Sequence, residues 1–202
     1  QPEWNWAINK ESRLQFKLPY TFVSGDLGQS SGLGDPVLSY SLLINAKEVV
    51  KKDTTRKDVW QWHSTVGGRF GINDASKRSK GERPLPMPYQ TSLGTYDIIF
   101  GLSLQNKNWH FALGYQQPLV QNNFNDFVYD TLSSIAELAY SQSGSLLRKS
   151  DVMLRLERTI EWKDLKCTGG FLPIYHLGKD RFTDSSGRKR GCPLRGLTSR
   201  IL

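Results

Sequence analysis

Hydrophobic and polar residues alternate along several segments of this chain, a two-residue period that is typical of β-strands with one apolar and one polar face. In residues 95–104 the apolar positions are Tyr96, Ile98, Phe100, Leu102 and Leu104. The segment 107–119 repeats the pattern, and the polar residues 105–108 form a link of hairpin length. We therefore predict a β-hairpin over residues 95–119.

The same alternation predicts most of the remaining strands. Strands are expected at residues 12–22, 59–72, 152–162 and 166–177, with weaker candidates at 4–8 and 37–44. A helical period of 3.6 is found only near residues 127–140, which could equally be a strand with a long loop. Loops are expected at residues 24–35, 73–88, 121–126 and 178–187. In the second of these loops Pro84, Pro86 and Pro88 exclude a sheet ladder, because proline donates no backbone hydrogen bond.

This pattern predicts an all-β fold. The 202 residues suit one domain, and nine Phe, eight Tyr and six Trp make the chain too aromatic for a disordered protein. No stretch approaches the ~20 consecutive apolar residues of a membrane-spanning helix. We expect an antiparallel up-and-down β-barrel, complete or incomplete, with about eight or more strands and long polar loops. A soluble sandwich with its apolar face inward fits the same alternation.

The positive charge is concentrated at one end of the chain. The formal net charge is +8, but residues 188–202 contain five basic residues and no acidic one, so residues 1–187 hold 22 basic against 19 acidic side chains. A basic run at one end is usually a solvated tail, whereas nucleic-acid binding needs a basic stripe on the fold. We therefore expect a single domain over 1–187, a basic, non-periodic, disordered tail over 188–202, and no nucleic-acid partner.

Cysteine and histidine do not form a metal-site pattern. The two cysteines, Cys167 and Cys192, have no CxxC partner, and no Cys/His cluster has zinc spacing. We expect neither a metal nor a cofactor. The first residues, QPEWNW, lack an initiator Met, which we interpret as a removed signal peptide or a fragment.

The sequence also does not match two common catalytic or nucleotide-binding motifs. The string SQSGS at 141–145 does not match the GxSxG nucleophile elbow, and GDLGQSSGLGD at 25–35 lacks the spacing and the lysine of a phosphate loop. His63, His110 and His176 each lie in a strand-like segment, where we expect a structural hydrogen bond. The sequence therefore predicts no catalytic residue and no enzyme, although a barrel hydrolase would need only a Ser and a His within hydrogen-bond reach.

The polar register supplies the most informative group of residues. If the hairpins align, seven polar side chains face one side of the sheet, namely Asp97, His110, Gln116, Asp151, Arg155, Glu157 and Glu161. In a membrane barrel they would line the lumen, where charges either tune solute selectivity or form structural salt-bridge ladders. Arg158 falls in the apolar register, where a lipid-facing Arg costs about 2 to 4 kcal/mol at the membrane midplane. We therefore expect Arg158 near a rim, or a bulge that shifts its register.

Aromatic residues lie near the ends of several predicted strands. The five that suit the aromatic girdles of an outer-membrane barrel are Tyr96, Trp109, Tyr115, Trp162 and Tyr175. In a soluble sandwich the same rings would fill the core.

Four segments carry a resemblance to a known class of protein. They are LGDPVLSYSLLI (33–44), SLGTYDIIFGLSLQNKNWHFALGYQQPL (92–119), RKSDVMLRLERTIEWKD (148–164) and LPIYHLGKDRF (172–182). Over residues 12–182 the chain resembles Gram-negative outer-membrane β-barrel proteins, in particular the uncharacterised porin- or transporter-like barrels of Bacteroidetes-type bacteria. The resemblance implies the outer membrane as location and a barrel as fold, with transport as a loose family label. After about residue 187 the pattern is lost, which we interpret as a frameshifted or truncated end.

We therefore expect an outer-membrane β-barrel with a passive solute-passage or transport-like role, in contact with membrane lipid and small solutes. The alternative from another class is a secreted β-sandwich binding module. Such a module would bind a carbohydrate-like ligand through the exposed rings of Trp4, Trp6, Trp60 or Trp62. The two hypotheses differ in where the apolar register points: toward the surroundings in a membrane barrel, toward a second sheet in a sandwich.

Overall fold

A computed structural model describes residues 2–45, 59–162, 165–191 and 198–201. In these residues the chain forms thirteen strands, a short helix α1 (Ile135–Leu138) and a 3₁₀ turn at Met87–Tyr89. The strands are β1 (Glu3–Ala7), β2 (Ser12–Lys17), β3 (Tyr20–Gly25), β4 (Gly28–Leu33), β5 (Val37–Leu43), β6 (Gln61–Arg69), β7 (Thr95–Gln105), β8 (Trp109–Gln121), β9 (Asp151–Trp162), β10 (Leu165–His176), β11 (Arg181–Thr183), β12 (Lys189–Gly191) and β13 (Thr198–Ile201).

Nine of these strands form one antiparallel sheet in the order β1-β2-β5-β6-β7-β8-β9-β10-β13. Strands that follow each other along the chain are neighbours in the sheet, except that the hairpin β3–β4 is inserted between β2 and β5 and the pair β11–β12 between β10 and β13. The strands β11 and β12 form a second separate hairpin. The prediction of an antiparallel, up-and-down, all-β architecture is confirmed. In the described residues β1 and β13 are the edges of the sheet, as in an incomplete barrel.

The predicted hairpin of residues 95–119 is present as β7 and β8. Its turn is held by Asn106, whose Oδ1 accepts the backbone N–H groups of Asn108 at 2.9 Å and Trp109 at 2.7 Å. The backbone N–H of Asn106 in turn donates to the carbonyl of Trp109 at 2.9 Å. Asparagine favours such turns because its short side chain replaces a backbone acceptor. The local sequence therefore determines where this hairpin reverses.

Three sequence predictions differ from the structure. Residues 12–22 are not one strand, because β2 ends at Lys17 and the chain passes Pro19, which has no N–H for the ladder, before β3 begins. The expected loop 24–35 contains β4, which pairs with β3 along its whole length. The helical period near 127–140 corresponds only to the four residues of α1, which begins with a capping box between Ser134 and Glu137.

The basic tail also contains regular structure. Of residues 188–202, the structure describes 188–191 and 198–201, and it pairs β12 with β11 and β13 with β10. These two short segments therefore contain strands in the structure. The strand β11 also lies within the loop expected at 178–187.

Connections of very different length leave the two ends of the sheet. At one end, here called the turn end, three links are short: 8–11, 106–108 and 163–164. The strand β5 also ends, and β6 begins, at the turn end, and most of the chain between them is outside the described residues. At the opposite end, the loop end, the chain makes long excursions. We call them together the loop layer, and they comprise residues 18–36, 70–94, 122–150 and 177–191.

Prolines and glycines aside, the buried apolar residues of the described chain all lie in the loop layer and not in the sheet. They are Ala75, Leu85, Tyr89, Phe127, Leu146 and Phe182. Rings from two loops meet where Tyr89 and Tyr140 pack edge to face, with their centroids 5.6 Å apart and their hydroxyl oxygens at 3.1 Å. The hydrophobic core of this protein is therefore small and sits at one end of the sheet. No described helix has the length and apolar character that crossing a membrane would need.

In the loop layer, polar side chains make the hydrogen bonds to backbone groups that a sheet ladder would otherwise make. Asn125, which is 1% exposed, donates to the carbonyls of Ala75 at 3.0 Å and Leu85 at 2.9 Å. Its Oδ1 accepts the N–H of Phe127 at 3.1 Å and the hydroxyl of Ser143 at 2.7 Å. One side chain thus satisfies four polar groups from two loops, which would otherwise be buried without partners.

Candidate functional site

The two faces of the sheet have opposite chemistry and unequal exposure. On the apolar face, Leu113 is 53% exposed and Leu154 is 50% exposed. On the polar face of the same two strands, Gln116 is 8% exposed and Asp151 is 5% exposed. A sheet in a soluble protein covers its apolar face, because burying apolar area is the main favourable contribution to folding. Here the polar face is shielded near the loop end, while Arg155 and Glu161 nearer the turn end are exposed, and this face is the candidate functional site.

All seven polar residues singled out in the sequence lie on this polar face. Direct cross-strand partners share a face of a sheet, and the register pairs Gln116 with Asp151 and His110 with Glu157. The side chain of Gln116 also donates to Asp97 across the pair β7–β8. Alternation along β9 assigns Arg155 and Glu161 to the same face as Asp151. The register therefore brings the seven onto one surface, with Asp97, Gln116 and Asp151 near the loop end and the other four nearer the turn end.

A cluster of charged residues closes the polar face near the loop end. We call it the loop-end network, and its members are Arg69, Asp97, Gln116, Arg148, Asp151 and His176. Its central group is the carboxylate of Asp97, whose side chain has no exposed surface. Arg69, directly opposite on β6, and Gln116 both donate to Oδ2 of Asp97. A buried carboxylate is tolerated only with such partners, since removing a charge from water is costly.

Arg148 joins the two halves of the loop-end network. Its Nη1 lies 3.2 Å from Oδ2 of Asp97, and its Nη2 lies 2.9 Å from Oδ2 of Asp151. On the far side, Nδ1 of His176 lies 2.5 Å from Oδ1 of Asp151. Two arginines thus balance two carboxylates, and protonation of the histidine would add one positive charge. The arrangement is a continuous ion-pair ladder from β6 to β10.

A second polar row crosses the sheet nearer the turn end. Nδ1 of His110 lies 3.0 Å from Oε2 of Glu157, while Arg155 donates to Oε1 of the same carboxylate at 2.6 Å. Further along the row, Gln105 donates to Gln61 at 3.3 Å. A Cβ on Gly170, the partner of Glu157 on β10, would lie only 2.6 Å from Cγ of Glu157. Glycine at that position therefore leaves room for the Glu157 side chain to lie flat.

Small side chains occupy the polar face between the two rows. Gly101 lies directly opposite Gly114, and Ser103 lies opposite Ala112. Further along the sheet, the hydroxyls of Ser41 and Thr65 are 2.8 Å apart. These residues project little from the backbone. On β7 and β8 the polar face is therefore uncharged between the two rows, whereas Arg155 on β9 and Arg13 on β2 are the cross-strand partners of Ala112 and Ser41.

The exposed apolar face has aromatic residues at both ends of its strands. Four of the five predicted girdle residues lie at a strand end or one position from it, namely Tyr96, Trp109, Trp162 and Tyr175. Tyr115 is in the middle of β8, so its predicted place at a strand end is wrong, because β8 continues to Gln121. Tyr115 is nevertheless level with a girdle residue across the sheet, because it pairs with Val152 on β9, which pairs with Tyr175 on β10.

Arg158 lies on this apolar face, and the ladder between β8 and β9 has no register shift. Its partner is Trp109, the first residue of β8, so Arg158 is at the turn-end rim as expected. The guanidinium carbon lies 5.0 Å from the centroid of the Trp109 ring. This cation–π contact partly offsets the cost of an Arg among apolar neighbours.

Two arginines of the loop-end network were missed as site residues by sequence reasoning. Arg69 lies in the polar register of residues 59–72, and Arg148 begins the Arg-x-x-Asp string that ends in Asp151. Both signals were present, but their common partner, Asp97, becomes visible only with the register of the sheet. His176 does make the structural hydrogen bond expected of it. No described group of His, Cys, Asp and Glu side chains has the arrangement of a metal site.

Comparison of the sequence with protein-family models and with curated proteins finds no match.

Proposed function

We propose that this chain forms an outer-membrane β-barrel, or a large part of one, with a passive solute-passage role. The supporting observation is the reversed distribution of side chains, with apolar residues exposed on one face of the sheet and Asp97, Gln116 and Asp151 buried on the other. In a bilayer the apolar face would contact lipid, and the polar face would line an aqueous path.

Three further features support the same proposal. Long loops leave one end of the sheet and mostly short turns leave the other, as in outer-membrane barrels, whose long loops are extracellular. Strand lengths of 11 to 13 residues in β7 to β10 are sufficient to cross a membrane at a tilt. Aromatic residues and Arg158 lie where the membrane interface would be, which suits their mixed polar and apolar character.

The proposal assigns a role to the loop-end network. At the extracellular mouth it would brace five neighbouring strands from β6 to β10 and present a nearly neutral set of fixed charges to passing solutes. Because each carboxylate already has a cationic partner, structural bracing accounts for most of its charges, and selectivity would depend on the small net charge that remains.

Thiol labelling of adjacent positions on β7 tests the proposal. Leu102 and Ser103 point to opposite faces of the same strand, so L102C and S103C form a matched pair in a background with Cys167 and Cys192 replaced by Ser. In lipid vesicles we expect a charged maleimide to react with S103C and not with L102C until detergent dissolves the vesicles. Equal labelling in vesicles, or a monodisperse protein in buffer without detergent, would contradict the proposal. Planar-bilayer conductance then tests solute passage.

The secreted sandwich remains the second candidate because Trp4, Trp6, Trp60 and Trp62 are all exposed, as stacking platforms need to be. A sandwich also needs a second sheet over the apolar face. The other sheets in the described residues are two-stranded hairpins, and the apolar face stays exposed beside them. The hydrolase alternative has less support: His110 and His176 contact carboxylates, as a catalytic His would, but no hydrogen bond among the described residues joins either of them to a Ser.

A further inference from the structure

A cavity of about 450 Å³ lies at the loop-end rim of the sheet, outside the polar face described above. It forms where β6 leaves the sheet, β7 begins and β8 ends. Two exposed aromatic rings border it, those of Tyr96 and Phe124, together with the polar side chains of Asn73, Asp74 and Asn122. The volume lies in the range of small-molecule sites in proteins.

Backbone hydrogen bonds preform the walls of this cavity. The carboxylate of Asp35 accepts the N–H of Ile72 at 3.3 Å and the N–H of Leu93 at 2.9 Å, which ties the two arms of loop 70–94 together. The third wall is the segment after β8, and it is attached to loop 70–94 by the N–H of Phe124, which donates to the carbonyl of Asp74 at 2.9 Å. Walls that are ordered before binding reduce the entropy lost on binding.

The floor of the cavity is bare backbone at two glycines. A Cβ on Gly71 would lie 2.9 Å from the backbone nitrogen of Thr95, and a Cβ on Gly94 would lie 2.7 Å from the carbonyl oxygen of Asn122. Gly94 also has φ +64°, a left-handed conformation that favours glycine. These two positions let the three chain segments approach closely and keep the floor flat between the rings.

The polar groups of the cavity have hydrogen-bonding capacity to spare. In the part of the chain that the structure describes, no hydrogen bond engages the carboxamide of Asn122. Asp74 uses Oδ1 for the N–H and hydroxyl of Ser76, and its Oδ2 accepts no described hydrogen bond. An amide and a carboxylate together offer both donors and acceptors to a ligand.

The chemistry of the lining favours one class of ligand. It contains no Lys, Arg or His, so it does not suit an anion, and its single carboxylate is too little for a metal ion. Aromatic rings beside amide and carboxylate groups suit a molecule with apolar C–H faces and hydroxyl edges, which describes a pyranose ring.

We propose that this rim cavity is a saccharide-binding subsite. Phe124 and Tyr96 stack on the faces of a pyranose ring, and Asn122 and Asp74 bind its hydroxyls. The ring belongs either to a soluble oligosaccharide or to the headgroup of a glycolipid beside the barrel. This site is separate from the Trp residues on which the sandwich hypothesis depends, and it does not require the membrane proposal.

Binding to two kinds of probe tests the site. The full chain, held in lauryldimethylamine oxide because that detergent has no sugar headgroup, is titrated with neutral hexasaccharides of glucose, galactose, mannose and N-acetylglucosamine, followed by saturation-transfer NMR. A second arm uses rough lipopolysaccharide in the same micelles. We expect binding in at least one arm, weakened on the order of tenfold by Phe124→Ala and by Asn122→Ala.

The matched control is Phe22→Ala, because Phe22 on β3 is 66% exposed and Phe124 is 65% exposed. This control should bind as the unmodified chain does, and circular dichroism verifies that all variants are folded. Binding confined to the lipopolysaccharide arm identifies a glycolipid as the source of the ring, and binding of a hexasaccharide identifies a soluble glycan. Absence of binding in both arms, or binding unchanged in the Phe124 and Asn122 variants, overturns the proposal. If the chain proves soluble, the hexasaccharide titration is made without detergent. The saccharide proposal can therefore be tested whether or not the membrane-barrel proposal holds.

Discussion

The sheet and the loop layer of this protein place their apolar side chains in opposite ways. In the sheet, Leu113 and Leu154 are exposed while Asp97 is buried; in the loop layer, Phe127 and Leu146 are buried while the basic and acidic groups are mostly exposed. The small core and most charged groups of the loop layer follow the ordinary rule for a protein in water, although some apolar side chains of this layer, such as Leu132 and Ile135, are also exposed. The sheet has the distribution that we propose to be that of a barrel in lipid, with apolar side chains directed outward. One chain thus combines two solvation patterns within about 200 residues.

The two regions also satisfy their backbones differently. The sheet relies on long, regular ladders, such as the pairing of β7 with β8. The loop layer relies on single side chains that imitate a strand, such as Gln90, which accepts the N–H of Lys77 at 2.9 Å and donates to its carbonyl at 3.0 Å. A ladder of backbone hydrogen bonds keeps its bonds when one side chain is substituted. A side chain that itself makes the bonds loses all of them when it is substituted. Substitutions should therefore act differently in the two regions.

The largest effect is expected from Asp97→Ala on the polar face of the sheet. The change leaves Arg69 and Arg148 facing each other in a buried site with no carboxylate between them. Removing one partner of a buried ion pair typically costs about 3–5 kcal/mol. We expect a loss of this size in the free energy of unfolding, measured by urea titration in micelles. Glu3→Ala is the control, since its pair with Lys17 is exposed and screened by water and should therefore contribute little to stability. Equal effects of the two variants would show that the network is not buried in solution.

The next largest effect is expected from Leu113→Arg on the apolar face. In a bilayer an Arg on the lipid face costs about 2–4 kcal/mol at the midplane. The matched control is Ala112→Arg, one residue away on the polar face. We expect L113R to reduce insertion into vesicles, measured by flotation, and A112R to insert normally with a shift toward anion selectivity. If both variants insert equally well, the apolar face does not contact lipid.

A somewhat smaller effect is expected from Asn125→Ala in the loop layer. The change removes four hydrogen bonds, but water can reach part of this layer, so we expect a loss of about 2–3 kcal/mol. Hydrogen exchange should accelerate in residues 70–94 and 122–150 and stay unchanged in β7 and β8. The exposed Asn5→Ala is the control. Uniform acceleration across the sheet would show that the two regions unfold as one unit.

The sequence predicts the sheet better than the loop layer, for a physical reason. Strands with one apolar face have a period that is visible locally, so β7, β8, β9 and β10 could be predicted. The hairpin β3–β4 could not, because β4 consists largely of Gly and Ser and has no apolar face to reveal it. Pairing between such strands depends on the neighbouring loops, which a local pattern does not contain.

The candidate site follows the same division. Alternation was enough to collect the seven polar residues on one face, since side-chain direction in a strand is a local property. The partners of Asp97 required the register of three strands and the path of loop 122–150, which brings Arg148 back over the sheet. The rim cavity was not predictable, because one of its walls is loop 70–94, whose position depends on contacts that Asp35 and Asp74 make with segments distant in sequence.

The smallest effect is expected from acid at the hairpin β11–β12 of the loop layer. The hydroxyl of Ser186 at 2.6 Å and the backbone N–H of Arg188 at 2.9 Å hold the pKa of Asp184 well below 3.8, its ordinary value, and Arg190 adds a further hydrogen bond at 2.6 Å. Because the folded-state pKa is lowered, the carboxylate stabilises the hairpin fully above pH 3.8 and loses this contribution as the pH falls through the folded-state value. Hydrogen exchange of residues 184–191 should therefore accelerate relative to β7 only in strong acid. Asp184→Asn should remove this pH dependence, and an unchanged acid response in that variant would assign the effect to another group.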